Sequence, residues 1–182
     1  MKEAARAIRV SGPHQVGVAE VMAKVGLTHG GFYAHFKSRE ELVAAAVEQM
    51  FKDSGAAIAL ANEDRPATEV LSSYLDFYLS PRHRDSRNGG CPLPYLAADA
   101  PRLPEPVRER FVAGVAFLRR MLVAQLTRLG VAAAEDAAGS MLAEMVGALT
   151  LARAEPEPAL SDAILDTSKT ALKRRFKLES LS

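Results

Sequence analysis

The run from Val18 to Phe36, VAEVMAKVGLTHGGFYAHF, limits what this chain can fold into more than any other segment. Val18, Val21, Met22 and Val25 recur at i, i+3, i+4 and i+7, which places them on one face of a short helix. Gly26 ends that helix, because glycine accepts the left-handed conformation that helix C-termini favour. Leu27 plugs the turn, and Thr28 is an N-cap for a second helix. On that helix Phe32 and Phe36 are one turn apart and point inward, which leaves His29, Gly30, Tyr33, Ala34 and Lys37 outward. This is the plan of a helix-turn-helix whose second helix enters the DNA major groove.

The outward residues suit that role. Thr28 stands at a helix N-terminus, where hydroxyl, backbone N–H groups and helix dipole all favour a phosphate oxygen. His29 and Tyr33 can donate or accept, and Lys37 and Arg39 follow at the helix exit, placed to neutralise phosphates. Gly30 and Gly31 each cost about 1 kcal/mol of helix propensity relative to alanine. The pair makes sense where backbone must approach a groove floor or a phosphate; the alternative is a helix start that merely frays. Ser38-Arg39-Glu40-Glu41 is a capping box, S-x-x-E. The helix it opens carries Leu42, Ala46 and Met50 in one row and Val43, Val47 and Phe51 in the next.

The stretch Val18 to Val47, and LTHGGFYAHFKSREEL within it above all, resembles the TetR family of bacterial transcriptional regulators. The resemblance implies an all-α protein: a three-helix N-terminal DNA-binding domain on a helical C-terminal domain that dimerises and binds a small ligand. We place the division at residues 1–38 and 39–182. The resemblance also implies that Thr28, His29, Gly30, Gly31, Tyr33 and His35 face DNA and that Arg39 contacts the DNA backbone. Three departures stand out. The family opens its first motif helix with Ser or Thr, where this chain has Gly17. It carries a basic stretch before its first helix, whereas Lys2 here already lies inside a helix expected over Lys2 to Ser11; either the arm is dispensable or the chain start is internal to a longer product. That helix offers Ala4, Ala5, Ala7, Ile8 and Val10 but no aromatic, so its grip on the core is expected to be light.

Charge is mildly asymmetric in the right direction. Residues 1–52 hold seven Lys and Arg against five Asp and Glu, and the remainder sixteen against seventeen. No apolar run approaches the roughly 18–20 residues that cross a bilayer, and no segment resembles a signal peptide. One cysteine permits no intrachain disulfide, which suits the cytoplasm. There is no Walker loop, G-x-S-x-G or H-E-x-x-H, and His29 and His35 are not at metal-pair spacing, so neither an enzyme, a metal site nor a cofactor is expected. A thiol enzyme built on Cys91 would need His83 as its base, with nothing to fix that geometry.

The remainder reads as successive helices. Leu71, Tyr74, Leu75, Tyr78 and Leu79 mark one beginning near Pro66. Pro81 to Gly90 reads as a polar, mobile loop. Pro104 or Pro106 opens a long helix that Gly130 stops; Asp136 to Ala154 is another, and Ser161 caps the last. Tyr74, Tyr78, Phe117 and Met121 are candidate walls of a ligand pocket, or plain core; no charged anchor stands among them, which favours a neutral or weakly polar effector. Cys91, after Gly89-Gly90 and before Pro92, is either an oxidant- or electrophile-sensing thiol at a helix N-terminus, with Arg82, Arg84 and Arg87 near in sequence, or a small buried hydrophobe. Gly139, Ala143 and Gly147 form a small-residue row which, flanked by Met145 and Leu149 and joined by Leu165 and Leu172, is the candidate homodimer interface.

Overall fold

The computed structural model describes residues 1–24, 26, 29–54, 64–86 and 89–178, and of His29 and Gly30 the backbone only. Among these residues every regular element is helical: α1 (Lys2–Ser11), α2 (Val18–Lys24), α3 (His29–Phe32), α4 (Arg39–Asp53), α5 (Ala67–Tyr78), α6 (Pro81–Asp85), α7 (Leu93–Leu96), a 3₁₀ turn (Ala100–Arg102), α8 (Glu105–Arg128), α9 (Ala134–Ala154) and α10 (Pro158–Arg175). The chain forms two compact units. The first holds Met1–Ser54 and Arg87–Val115, the second Gly55–Ser86 and Ala116–Ser182. The division expected after residue 38 is thus not where the compact units part: α4 belongs with the helices before it, because its buried face packs on α1.

In the first unit α1 buries Ala4, Ala5 and Ile8, and α4 buries Leu42, Val43, Ala46, Val47, Met50 and Phe51. The alanines let the two helices approach closely, and burial of Ile8 alone stabilises by about 1.5–3 kcal/mol. The grip of α1 is therefore close despite its lack of an aromatic. Arg9, buried on the same row as Ala5, adds a polar tie: its Nη2 donates to the Met50 carbonyl at 3.3 Å. Its Nε–H has no hydrogen-bond partner among the described residues. Burial pushes the Arg9 guanidinium below its ordinary pKa, opposed by the charge of Asp53 and by Tyr95 and Cys91.

The second unit is built on α9 and α10. The Ser161 hydroxyl of α10 donates to the Ala152 carbonyl at 2.6 Å, whereas Arg175 at its far end pairs with Glu144 at 2.7 Å. The two helices therefore run antiparallel, with Met141, Met145, Leu149, Leu165 and Leu172 buried. Lys173 ties α10 to Asp76 of α5 at 2.7 Å. Gly130, at φ +75°, ends α8 in a Schellman motif, with its own N–H on the Thr127 carbonyl and that of Val131 on Leu126.

Two expectations are corrected. Residues 81–85 are not loop but the helix α6, because the Ser80 hydroxyl caps it by accepting the His83 N–H at 3.2 Å, and Pro81 sits at its first turn. Arg153 holds this helix through the carbonyls of His83 and Arg84, both at 3.1 Å, and Arg84 reaches Asp162 at 2.6 Å. Ser161 does not cap α10, which begins at Pro158; its hydroxyl is spent on Ala152 instead.

Candidate nucleic-acid interface

The helix-turn-helix is held from beneath by aromatic packing. Phe32 is buried, stacks on Phe36 with centroids 5.7 Å apart and meets the Tyr33 ring edge-on at 5.1 Å. Val21 and Met22 of α2 are buried, and Gly26 turns the chain at φ +72°. Helix α3 is shorter than the pattern predicts. It ends at Phe32, though the Phe36 N–H still reaches the Phe32 carbonyl at 2.9 Å, so a helical turn continues to Phe36. Four residues, two of them glycine, form a weak helix, and its shape rests on Phe32 being anchored.

The outer surface of that turn is exposed. Tyr33 shows 66% of its surface to solvent, and His35 and Lys37 are exposed beside it in sequence, with Gly31 half-buried. Thr28 and the side chain of His29 lie outside the described residues. The start of α4 closes the motif. Ser38 Oγ accepts the Glu41 N–H at 3.2 Å, and Glu41 Oε2 accepts the Lys37 N–H at 2.6 Å. The capping box is thus real, but its return arm reaches one residue further back than the usual pattern.

Arg39 makes three hydrogen bonds within the chain. Its Nε donates to the Val16 carbonyl at 3.0 Å, and its Nη2 to those of Pro13 at 2.9 Å and His14 at 2.7 Å. The guanidinium is therefore tied to the α1–α2 loop. Spacing alone does not reveal this partner, which lies 23 to 26 residues away in sequence. Arg9 is a second residue that sequence spacing does not reveal; its one signal is a cation in the buried row of Ala5.

The candidate ligand-site residues fall in both compact units. Cys91 belongs to the first unit, whereas Tyr74, Tyr78, Phe117 and Met121 belong to the second. Cys91 is 1% exposed and precedes a helix of only four residues, so it has the surroundings of a core residue rather than of an open thiol. Arg84 is held by Asp85 and Asp162, and Arg87 lies outside the described residues. Tyr74 and Tyr78 are each 1% exposed, with rings 5.8 Å apart, while Phe117 and Met121 are half-buried. His83 joins the tyrosines: its ring lies edge-on to Tyr78 at 4.8 Å and stacks on Phe77 at 5.3 Å, and Nδ1 lies 2.8 Å from the Tyr78 carbonyl. Burial lowers the His83 pKa, partly offset by that bond.

The candidate interface residues of α9 and α10 divide by burial. Met145, Leu149, Leu165 and Leu172 are fully buried within the chain and serve its own core. Gly139, Ala143 and Gly147 lie on the opposite side, half-buried or exposed. No cluster of His, Cys, Asp or Glu among the described residues could hold a metal ion, and no described helix is long and apolar enough to cross a membrane.

A short helix pair with an exposed turn, locked to the start of a longer helix, defines a helix-turn-helix DNA-binding protein. A model of the bacterial regulatory proteins of the tetR family matches residues 1–46, and one of the tetracyclin repressor-like C-terminal domain matches residues 67–168. The chain belongs to the TetR family: it is a DNA-binding transcriptional regulator and not an enzyme. Its fold is similar to a TetR transcriptional regulator from Chloroflexus aurantiacus, at 26% identity over 97% of this chain and 91% of that one, with a TM-score of 0.77. A regulator of the family from Agrobacterium tumefaciens is 27% identical over 92% of each chain, with a TM-score of 0.74. One from Legionella pneumophila, at 18% identity, covers 94% of this chain and 92% of that one, and shares the fold with a TM-score of 0.78. No curated protein matches the chain.

Proposed function

We propose that the protein is a cytoplasmic homodimeric repressor that binds an operator through the turn carrying Tyr33, His35 and Lys37 and leaves it when a small effector binds the second unit. The observation that carries this reading is the contrast at that turn: Phe32 is buried while the side chains of Tyr33, His35 and Lys37 stand in solvent. An aromatic at 66% exposure beside a histidine and a lysine suits base edges and phosphates. Thr28, His29, Gly30 and Gly31 complete the DNA-facing set.

Dimerisation rests on the small-residue row. A Cβ at Gly147 would meet nothing within 4 Å, and one at Gly139 only Arg119 Nε at 4.0 Å. Nothing among the described residues requires glycine at either place. Leu151 of α9 and Leu160 of α10 are exposed, at 62% and 56%. A second copy laid on this surface would form a four-helix bundle and present two heads to half-sites about 34–36 Å apart. Effector binding among Tyr74, Tyr78, Phe117 and Met121 tilts α4 and changes that spacing, by an amount set by the effector's differential affinity for the two states. The burial of Cys91 favours a non-covalent effector over thiol chemistry.

The test is binding of the purified protein to duplexes from the DNA flanking its own coding sequence, by fluorescence anisotropy at two salt concentrations. Tight, salt-sensitive and sequence-preferring binding supports the reading. Equal affinity for every duplex overturns it.

A further inference from the structure

We propose that Arg39 is a positioning residue: reaching back from α4, it fixes the start of α2 in place of the side-chain cap that Gly17 does not supply. Helix α2 opens directly after Gly17, whose carbonyl accepts the Val21 N–H at 3.1 Å but which has no side-chain oxygen for the free N–H groups of the first turn. The chain leading into it is instead held by its carbonyls. Within four residues, Pro13, His14 and Val16 each present a carbonyl to the one guanidinium, at 2.9, 2.7 and 3.0 Å. Pro13 and Val16 are also buried, so the loop is pinned by packing and by the guanidinium together.

The anchor at the other end is equally fixed. Arg39 is the first residue of α4, and Ser38 and Glu41 lock the backbone around it through the Glu41 and Lys37 N–H groups. Movement of the α4 N-terminus therefore carries the α1–α2 loop and α2 with it. Two donor nitrogens in a rigid plane serve three acceptors here, which neither the point charge of a lysine nor the smaller amide of a glutamine reproduces. The substitution that would restore a cap has room: a Cβ at Gly17 meets only Glu20 Cβ, at 3.7 Å.

The inference rests on the DNA-binding reading for its functional consequence but not for its structural one, so two measurements separate them. The first uses no DNA. Native-state amide exchange over Val18–Lys24 is compared in the wild type, Arg39→Gln, and the double variant Gly17→Ser/Arg39→Gln. Arg39→Gln should speed exchange in the first turn about tenfold, because the loop that leads into it loses its tie, and the added serine, by accepting a first-turn N–H, should recover most of that protection. The second is binding to the flanking-DNA duplex and to an unrelated duplex across a salt series. Arg39→Gln should weaken the preferred duplex about tenfold and leave the unrelated duplex and the salt slope unchanged, again with recovery by Gly17→Ser. Unchanged exchange in Arg39→Gln, or no recovery by the serine, overturns the proposal. So does a salt slope reduced by about 0.9 with equal loss on both duplexes, the mark of a lost phosphate contact. Should Arg39→Gln fail to fold, Arg39→Lys is judged by the same exchange pattern. If no duplex is preferred while the exchange pattern holds, the operator reading fails and the positioning role stands.

Discussion

Phe51 occupies the space that a Cβ on Gly114 would need, and its ring lies 6.0 Å from that of Phe111. Helix α8 can pass α4 at this point only with glycine. Gly114→Ala gains about 1 kcal/mol of helix propensity but must displace a packed aromatic, at about 1–3 kcal/mol. We expect net destabilisation of up to about 2 kcal/mol, read as a lower urea midpoint. An unchanged or raised midpoint would show that the ring moves aside freely.

Lys177 adopts φ +52° after α10, in a Schellman motif closed by the Leu178 N–H on the Lys173 carbonyl at 2.9 Å. Glycine holds that conformation without a Cβ penalty. Lys177→Gly should stabilise the protein by about 0.5–1 kcal/mol, raising the thermal midpoint by a few degrees.

Burial depresses the His83 pKa below its ordinary 6.5. Above that value both folded and unfolded states hold a neutral ring, and His83 adds no pH dependence. As the pH falls below about 6.5, the unfolded chain takes up a proton that the folded one resists, and stability declines by at most about 1.4 kcal/mol per unit until the folded pKa is reached. Urea unfolding at pH 7.5 and 5.5 should show this decline in the wild type and less of it in His83→Asn, whose amide can keep a donor on Tyr78.

Cys91 is enclosed, so a thiol reagent should label the native protein only as fast as it opens, and the denatured protein at once. Immediate labelling under native conditions would contradict the burial and revive thiol sensing.

A Cβ at Gly147 meets nothing within 4 Å among the described residues, so a larger side chain there is expected to leave the fold of the single chain intact. Gly147→Arg should keep the helical circular dichroism and sediment as a monomer, whereas the wild type is expected to sediment as a dimer. A variant dimer as tight as the wild type would remove α9 from the interface.

Legibility in the sequence followed the range of the interactions. The motif helices, the Ser38 cap and the Gly130 stop were legible because each is decided within a few residues. The outward Tyr33 and inward Phe32 followed from helical spacing alone. Helix α6 has its start signal in Ser80-Pro81, but the polar residues after it resemble a loop. The partners of Arg39 and Arg9 were hidden, since each lies more than twenty residues away and only tertiary packing brings them together. Met145, Leu149, Leu165 and Leu172 fall on apolar stripes whose pattern does not say whether the partner helix comes from the same chain; burial assigns them to its own core.

Whether the turn after Phe32 reads DNA is decided by the salt dependence of duplex binding by Lys37→Ala and Tyr33→Ala beside the wild type. Lys37→Ala should weaken all duplexes alike and lower the slope of log affinity against log salt by about 0.9, while Tyr33→Ala should weaken the preferred duplex and spare the slope. Wild-type affinity and slope in both variants, with the fold intact, would contradict the assignment of this surface to DNA.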